Sequence, residues 1–379
     1  MDSLFEYIRW RGDVPLSFDG LRDADALVLS LLSYLDLRPI WTEDTEALYL
    51  RDCKALIDEG KLRVLLVGGG FDYAGIVSAA IASRRFGALR ITDYVDLMRA
   101  EPPLQFSAMC FHDESGLSFL AYRGTDSTLS GWEEDFLISF TRTEAQELAL
   151  AYAKSRLAEE RRWVIGGHSK GANLALYAAS GLADAELSRV QRVYILDGPG
   201  LCPEVMDVQA VQRIDGLCRR IIPSFSVVGK LFEPQITDSH IVKCTVSGFM
   251  QHSLASWALQ YGELAPGETD PASVWINNTL RDWINNISHE DRGVFIRELF
   301  AALSAGGART LAELDDRGVS GYEAILRSLI SSSAVTRRTI TDLPVQAVSQ
   351  AVTAASRLKD SLLHSATAAG RKDEPDEEV

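Results

Sequence analysis

Up to about residue 60, apolar positions recur at helical rather than alternating spacing, most clearly in ADALVLSLLSYLDL (24–37), with acids between them. The pattern then changes. Short runs rich in β-branched and aromatic residues stand at 89–95 (LRITDYV), 104–111 (LQFSAMCF) and 117–122 (LSFLAY). The turn sequence HDESG separates the last two, which predicts a β-hairpin.

From residue 144 a helical segment (EAQELALAYAKSRLAEE) precedes a short strand (RRWVIGG), a second helix (KGANLALYAASGL) and a second strand (RVQRVYILDG). Alternation of this kind predicts parallel strands joined by crossover helices, and hence an α/β fold. After the break APGETDP at 265–271 the periodicity is helical again, and the last residues, KDEPDEEV, are acidic without an apolar anchor. The expected organisation is a helical lead-in over 1–60, an α/β core over 61–264, a helical appendage over 265–365 and a disordered acidic tail over 366–379.

Composition narrows the function classes. A chain of 379 residues that is 46% hydrophobic can bury a large core. Its formal charge of −15, with no dense Lys/Arg stripe, argues against a nucleic-acid partner. Five scattered cysteines (Cys53, Cys110, Cys202, Cys218 and Cys244) include no C-x-x-C pair and read as buried thiols. Acids within the first six residues and the lack of an eighteen-residue apolar run lead us to expect a cytoplasmic protein with no membrane span. The triple glycine at 68–70 follows VLLV but lacks both the G-x-G-x-x-G spacing and a Gly-Lys-Ser/Thr ending, so it reads as a flexible turn and not a phosphate loop.

The candidate chemistry begins at Gly167-His168-Ser169-Lys170-Gly171. A G-x-S-x-G string arises by chance in roughly one chain in ten of this length, so context has to decide. Here Trp163-Val164-Ile165 forms a strand before it, and Ala172, Leu174, Ala175, Ala178 and Ala179 form a small-residue helix after it. A serine on a sharp strand-to-helix turn is lifted clear of the sheet as a nucleophile, and the next amide, that of Lys170, is directed at a developing oxyanion. The histidine within the turn, His168, reads as structural.

A second motif lies upstream, where the strand 119–122 runs into Arg123-Gly124-Thr125-Asp126 and then Gly131-Trp132-Glu133-Glu134-Asp135-Phe136. A strand ending in R-G-T before a G-H-S-x-G elbow resembles the class 3 lipases. More closely, Q-F at 105–106, Y-R-G-T-D, G-W-E-E-D-F, G-H-S-K-G, V-G-K-L and Q-H-S-L-A-S-W together resemble the Mbeg1-like family of bacterial proteins, a domain of unknown function among the α/β-hydrolases. The resemblance covers roughly 1–260. It implies an α/β-hydrolase fold, with Thr125 as an oxyanion donor beside the Lys170 amide and with 127–140 where class 3 lipases carry a lid. The consecutive acids Glu133, Glu134 and Asp135 point in different directions on a helix and read as a solvated or arginine-paired face, not a metal site.

In this fold the acid and then the base follow the serine. Of the downstream histidines, His364 adjoins the tail, His289 opens a helix of the appendage, and His240 precedes an apolar run at 241–246. His252 follows that run in Gln251-His252-Ser253 and is the favoured base, with His240 as fallback. For the acid, class 3 lipases use a later strand end, but 221–229 (IIPSFSVVG) holds no carboxylate. Asp197 ends the strand 193–196 (VYIL) ahead of Gly198-Pro199-Gly200, an arrangement similar to pancreatic-type lipases; Asp238 is the second choice.

The expectation is therefore a serine hydrolase cleaving carboxylic esters, including lipid acyl esters, through Ser169, His252 and Asp197, with Thr125 and Lys170 at the oxyanion and no metal or organic cofactor. A thioesterase or acyltransferase would use the same residues. A non-catalytic interaction protein on the same fold is the third reading, and no protein partner is named by any motif.

Overall fold

A computed structural model of the chain describes residues 2–66, 70–99, 101, 104–125, 137–271 and 273–274, together with 288, 291–294, 297–298, 301, 328 and 331–334. The centre of the molecule is an eight-stranded sheet in simple chain order, β1 (Ala47–Tyr49), β2 (Arg90–Arg99), β3 (Leu104–His112), β4 (Leu117–Tyr122), β5 (Arg162–His168), β6 (Val190–Leu196), β7 (Cys218–Pro223) and β8 (Ser239–Val242). Neighbours from β1 to β4 are antiparallel, and from β4 to β8 parallel. The β3–β4 hairpin turns at HDESG, where Asp113 accepts from the amides of Ser115 and Leu117.

Parallel strands in unbroken chain order have a topological consequence. Right-handed crossovers then place every connecting helix on one face of the sheet. That face is built from Leu120, Trp163, Ile165, Val193 and Ile195, covered by Ala145, Ala149 and Ala153 of the Glu144–Arg156 helix and by Leu174, Ala175 and Ala178 of the Lys170–Gly181 helix. The alternate residues Phe119, Ala121, Val164, Tyr194, Leu196 and Ile221 form the opposite face, as expected for strands buried on both sides.

The N-terminal helices cover that second face. Leu4, Ile8, Leu27, Val28 and Leu31 share its cluster with Trp257 and Leu259. They are pinned by polar bonds as well: Arg85, fully buried, donates to both oxygens of Asp25, which also accepts from the Tyr7 hydroxyl at 2.8 Å. Tyr194 on β6 donates to Asp23 at 3.0 Å and docks the Asp23–Leu32 helix to the sheet.

Two strands of the sheet differ from the sequence pattern. β1 (Ala47–Tyr49) lies within the segment expected to be a helical lead-in, yet its backbone pairs with Arg90–Thr92 of β2 and extends the sheet. The apolar run at 241–246 is expected to be a strand after His240, whereas β8 includes His240 and stops at Val242. The reason is a competing partner: Lys243 donates to Ala265 and accepts from Ala258, which draws the chain onto the small hairpin Leu259–Gln260 and Glu263–Leu264. Among the described residues no helix is long and apolar enough to cross a membrane. Most of the expected appendage, the tail, Gly68 and Gly69 lie outside the described residues.

Candidate active site

β5 ends at His168 and a twelve-residue helix starts at Lys170, so Ser169 alone makes the turn. Its backbone is in a left-handed conformation, φ 59° and ψ −128°, which costs a non-glycine residue about 1–3 kcal/mol and persists only where the surroundings impose it. Two contacts impose it. The Ser169 amide donates to Leu196 O at 3.0 Å, and the start of the helix lies so close to β4 that a Cβ on Gly171 would sit 2.2 Å from Tyr122 O. The Lys170 amide is thereby the first of the helix, where the helix dipole favours negative charge. Its side chain turns away and donates from Nζ to Gln105 O at 2.6 Å.

The structure brings His252 and Asp197 to this serine. His252 closes the short 3-10 turn Gly248–His252; its Nε2 is 3.0 Å from Ser169 Oγ, and its Nδ1 is 2.6 Å from Asp197 Oδ2. A carboxylate only accepts, so Nδ1 carries the proton and Nε2 is left as the acceptor facing the serine hydroxyl. Asp197 stands at the end of β6 with φ 44° and is 1% exposed. Its other oxygen, Oδ1, accepts from Ser226 Oγ at 2.5 Å and from the Gly229 amide at 3.2 Å. The turn that carries His252 is fixed on both sides: Gln251 Oε1 accepts from the Phe225 amide, Gln251 O from the buried Trp257 indole, and Ser253 Oγ bonds the Tyr73 hydroxyl at 2.7 Å.

The R-G-T segment leaves β4 alongside the elbow. A Cβ on Gly124 would lie 3.3 Å from Ser169 Cβ, and the next residue, Thr125, is buried. Arg123 anchors this exit through a bidentate pair with Asp96 on β2, at 2.8 and 2.9 Å, both side chains nearly fully buried. Asp96 also accepts from the Tyr94 hydroxyl at 2.9 Å. Removing one charge of a buried pair strands the other, which costs about 3–5 kcal/mol. Asp96→Asn is accordingly expected to lower the urea-unfolding free energy by about that amount; a change below about 1 kcal/mol would show that Arg123 is solvated some other way.

The fallback residues go elsewhere. His240 bonds Asp238 at 2.6 Å, and Asp238 is also held by Arg219 at 2.6 Å and Arg192 at 3.1 Å. The pair forms a charged network of its own rather than joining the serine. Expectations for Glu133, Glu134, Asp135, His289, His364 and most of 127–140 fall outside the described residues, although Leu137–Phe140 are described.

Among the described residues one group, Asp93, Cys110 and His112, has three metal-type donor atoms within 4.8 Å of one another. Those donors are engaged: His112 bonds Thr92 and Ser118 through its two nitrogens, each at 2.7 Å, and Asp93 pairs with Arg156. Burial also pushes the Cys110 thiol well up, away from the thiolate that a metal needs. The arrangement fits a packed polar core better than a metal site.

A family model described as Mbeg1-like matches residues 80–301, more than half of the chain and the whole stretch from β2 past His252. The chain belongs to the Mbeg1-like family. Within this Mbeg1-like chain, the matched stretch contains Ser169, Asp197, His252 and the R-G-T exit. No curated protein matches the sequence. In structure the Mbeg1-like chain is similar to the M37 lipase, at 14% identity and a TM-score of 0.34, over 55% of this chain and 70% of that one.

Sequence reasoning did not single out Ser226, Gly229 or Asp96. Gly229 belongs to V-G-K-L, one of the short motifs of the resemblance, so a signal existed for it, but that signal carried no chemistry until Asp197 Oδ1 was found beside its amide.

Proposed function

We propose that this Mbeg1-like protein is a serine hydrolase that cleaves carboxylic esters by acyl transfer. One observation carries the reading: a single imidazole, His252, lies 3.0 Å from Ser169 Oγ through Nε2 and 2.6 Å from Asp197 through Nδ1.

In the proposed reaction His252 Nε2 takes the Ser169 proton as Oγ attacks the ester carbonyl. Asp197 holds the ring in the required tautomer and stabilises the imidazolium without taking its proton. The amides of Lys170 and Thr125 receive the oxyanion. Nε2 then returns the proton to the leaving alcohol, and water, deprotonated by the same nitrogen, releases the acid from the acyl-enzyme. Each step is assigned to a side chain or amide of this chain. Acyl esters, lipid esters among them, are the proposed substrate class.

The test uses the 379-residue chain. A fluorophosphonate probe is expected to form one covalent adduct, mapped to Ser169 by peptide mass spectrometry, and p-nitrophenyl esters of graded chain length are expected to be hydrolysed. A folded protein that takes up no probe, or takes it up at another residue, would overturn the proposal.

A further inference from the structure

The residue before the serine bonds the backbone of the residue that faces the serine. His168 Nε2 is 2.8 Å from the carbonyl oxygen of His252, and the two rings lie against one another with centroids 4.6 Å apart and planes at 36°. A carbonyl only accepts, so Nε2 carries a proton. Burial, and next the charge that His252 can carry, hold His168 well below the usual histidine pKa, so the ring is neutral and Nδ1 is bare. The Tyr34 hydroxyl, 3.3 Å from Nδ1, is then the donor.

Tyr34 is 1% exposed and follows the Asp23–Leu32 helix of the N-terminal segment. Its hydroxyl fills the space that a side chain at Gly124 would need: a Cβ there would lie 2.1 Å from Tyr34 Oη and 2.6 Å from His168 O. One hydroxyl thus meets the exit of β4 and the end of β5, the two segments that carry Thr125 and Ser169.

We propose that His168 is a positioning residue for the ester-cleaving site, holding the His252 main chain so that Nε2 of His252 stays on the serine, and that Tyr34 selects the tautomer in which His168 can do so. This rests on the reading of Ser169 and His252 as nucleophile and base. A bond to the backbone of His252 restrains the turn while leaving its imidazole free to gain and lose a proton. A misplacement of about 1 Å at a base of this kind costs on the order of a hundredfold in rate.

The alternative is that His168 only fills space, and three variants separate the two. Gln places an N–H donor at about the reach of Nε2, whereas Phe keeps the ring and removes the donor. His168→Phe is expected to lower kcat for a p-nitrophenyl ester by about 30- to 100-fold with KM little changed, and His168→Gln by no more than about threefold. Tyr34→Phe is expected to lower kcat by about five- to tenfold in the native background and to have no further effect beside His168→Gln, which has no tautomer to select. Equal losses in the Phe and Gln variants would overturn the positioning role, and an undiminished Tyr34→Phe loss beside His168→Gln would overturn the tautomer role. If His168→Phe does not fold, the Tyr34 and Gln variants still decide.

A measurement independent of turnover accompanies them. Nitrogen-15 NMR of the imidazole side chains is expected to show His168 protonated at Nε2 and bare at Nδ1, and the opposite tautomer would overturn the proposal. The expected tautomer in a native protein inert to fluorophosphonate and to esters would instead sink the Ser169 reading, and the positioning role with it.

Discussion

Ser169→Ala is expected to abolish covalent capture by a fluorophosphonate and to lower kcat for ester hydrolysis by about 10⁵- to 10⁶-fold, with the melting temperature nearly unchanged. The size follows from the division of labour in such a site, where base and acid without a nucleophile leave only the residual catalysis of binding and the oxyanion donors. The fold is expected to tolerate the change. Alanine keeps the Cβ and with it the left-handed strain at 169, the amide bond to Leu196 O is unaffected, and His252 remains held by Asp197 and by His168. The measurement is kcat and probe labelling on protein whose thermal melt matches the native one. Activity within about tenfold of native would mean that another residue attacks the ester.

Asp197→Asn is expected to lower kcat by about 10⁴-fold, while Asp238→Asn leaves it within about twofold. The surroundings of Asp197 dictate how asparagine would sit. The Oδ1 position faces two donors, Ser226 Oγ and the Gly229 amide, so the carbonyl of the asparagine takes that place and its NH₂ turns to His252. Nδ1 of His252 must then accept, which moves the ring proton to Nε2 and leaves no base on the serine. Asp238 faces Arg192, Arg219 and His240, none of which touches Ser169 or His252 among the described residues. Steady-state kinetics on the two variants decide the matter, and a loss confined to Asp238→Asn would assign the acid to the other carboxylate.

Much of the fold is readable from local pattern, because β4 and β5 are short apolar runs, each followed by a helix of strong periodicity (Glu144–Arg156 and Lys170–Gly181). The elbow is the clearest part: an apolar strand, glycines and a small-residue helix are contiguous, so one window of sequence contains the whole arrangement. The partners of Ser169 are harder to read, since His252 and Asp197 are 83 and 55 positions apart from the serine and from His252 respectively, and only the sheet brings them together. Asp96 could not be found locally. It sits among polar residues that read as the exposed side of a strand, and its burial depends on Arg123 arriving from β4. Tyr34 is hidden for the opposite reason: within a run of leucines it reads as one more core aromatic, and only its hydroxyl, meeting His168 and Gly124 across the sheet, sets it apart. The strand expected over 241–246 ends early because pairing with the hairpin at Ala258 and Ala265 outcompetes the sheet, a choice that local propensity does not encode.

The chain order of the sheet also bears on how the protein is made. Since the described crossover helices lie on one face, the other face is covered by helices synthesised before the parallel strands, and part of what those helices pack against is synthesised after them: Asp2 pairs with Leu259, and Leu27 and Leu31 share a cluster with Trp257. At roughly 5–20 residues per second, on the order of 10–50 seconds separate the emergence of the first helix from that of its closing partner. During that interval the Asp23–Leu32 helix, nine of whose ten residues are buried in the folded chain, has the sheet but not yet Trp257 and Leu259 to pack against.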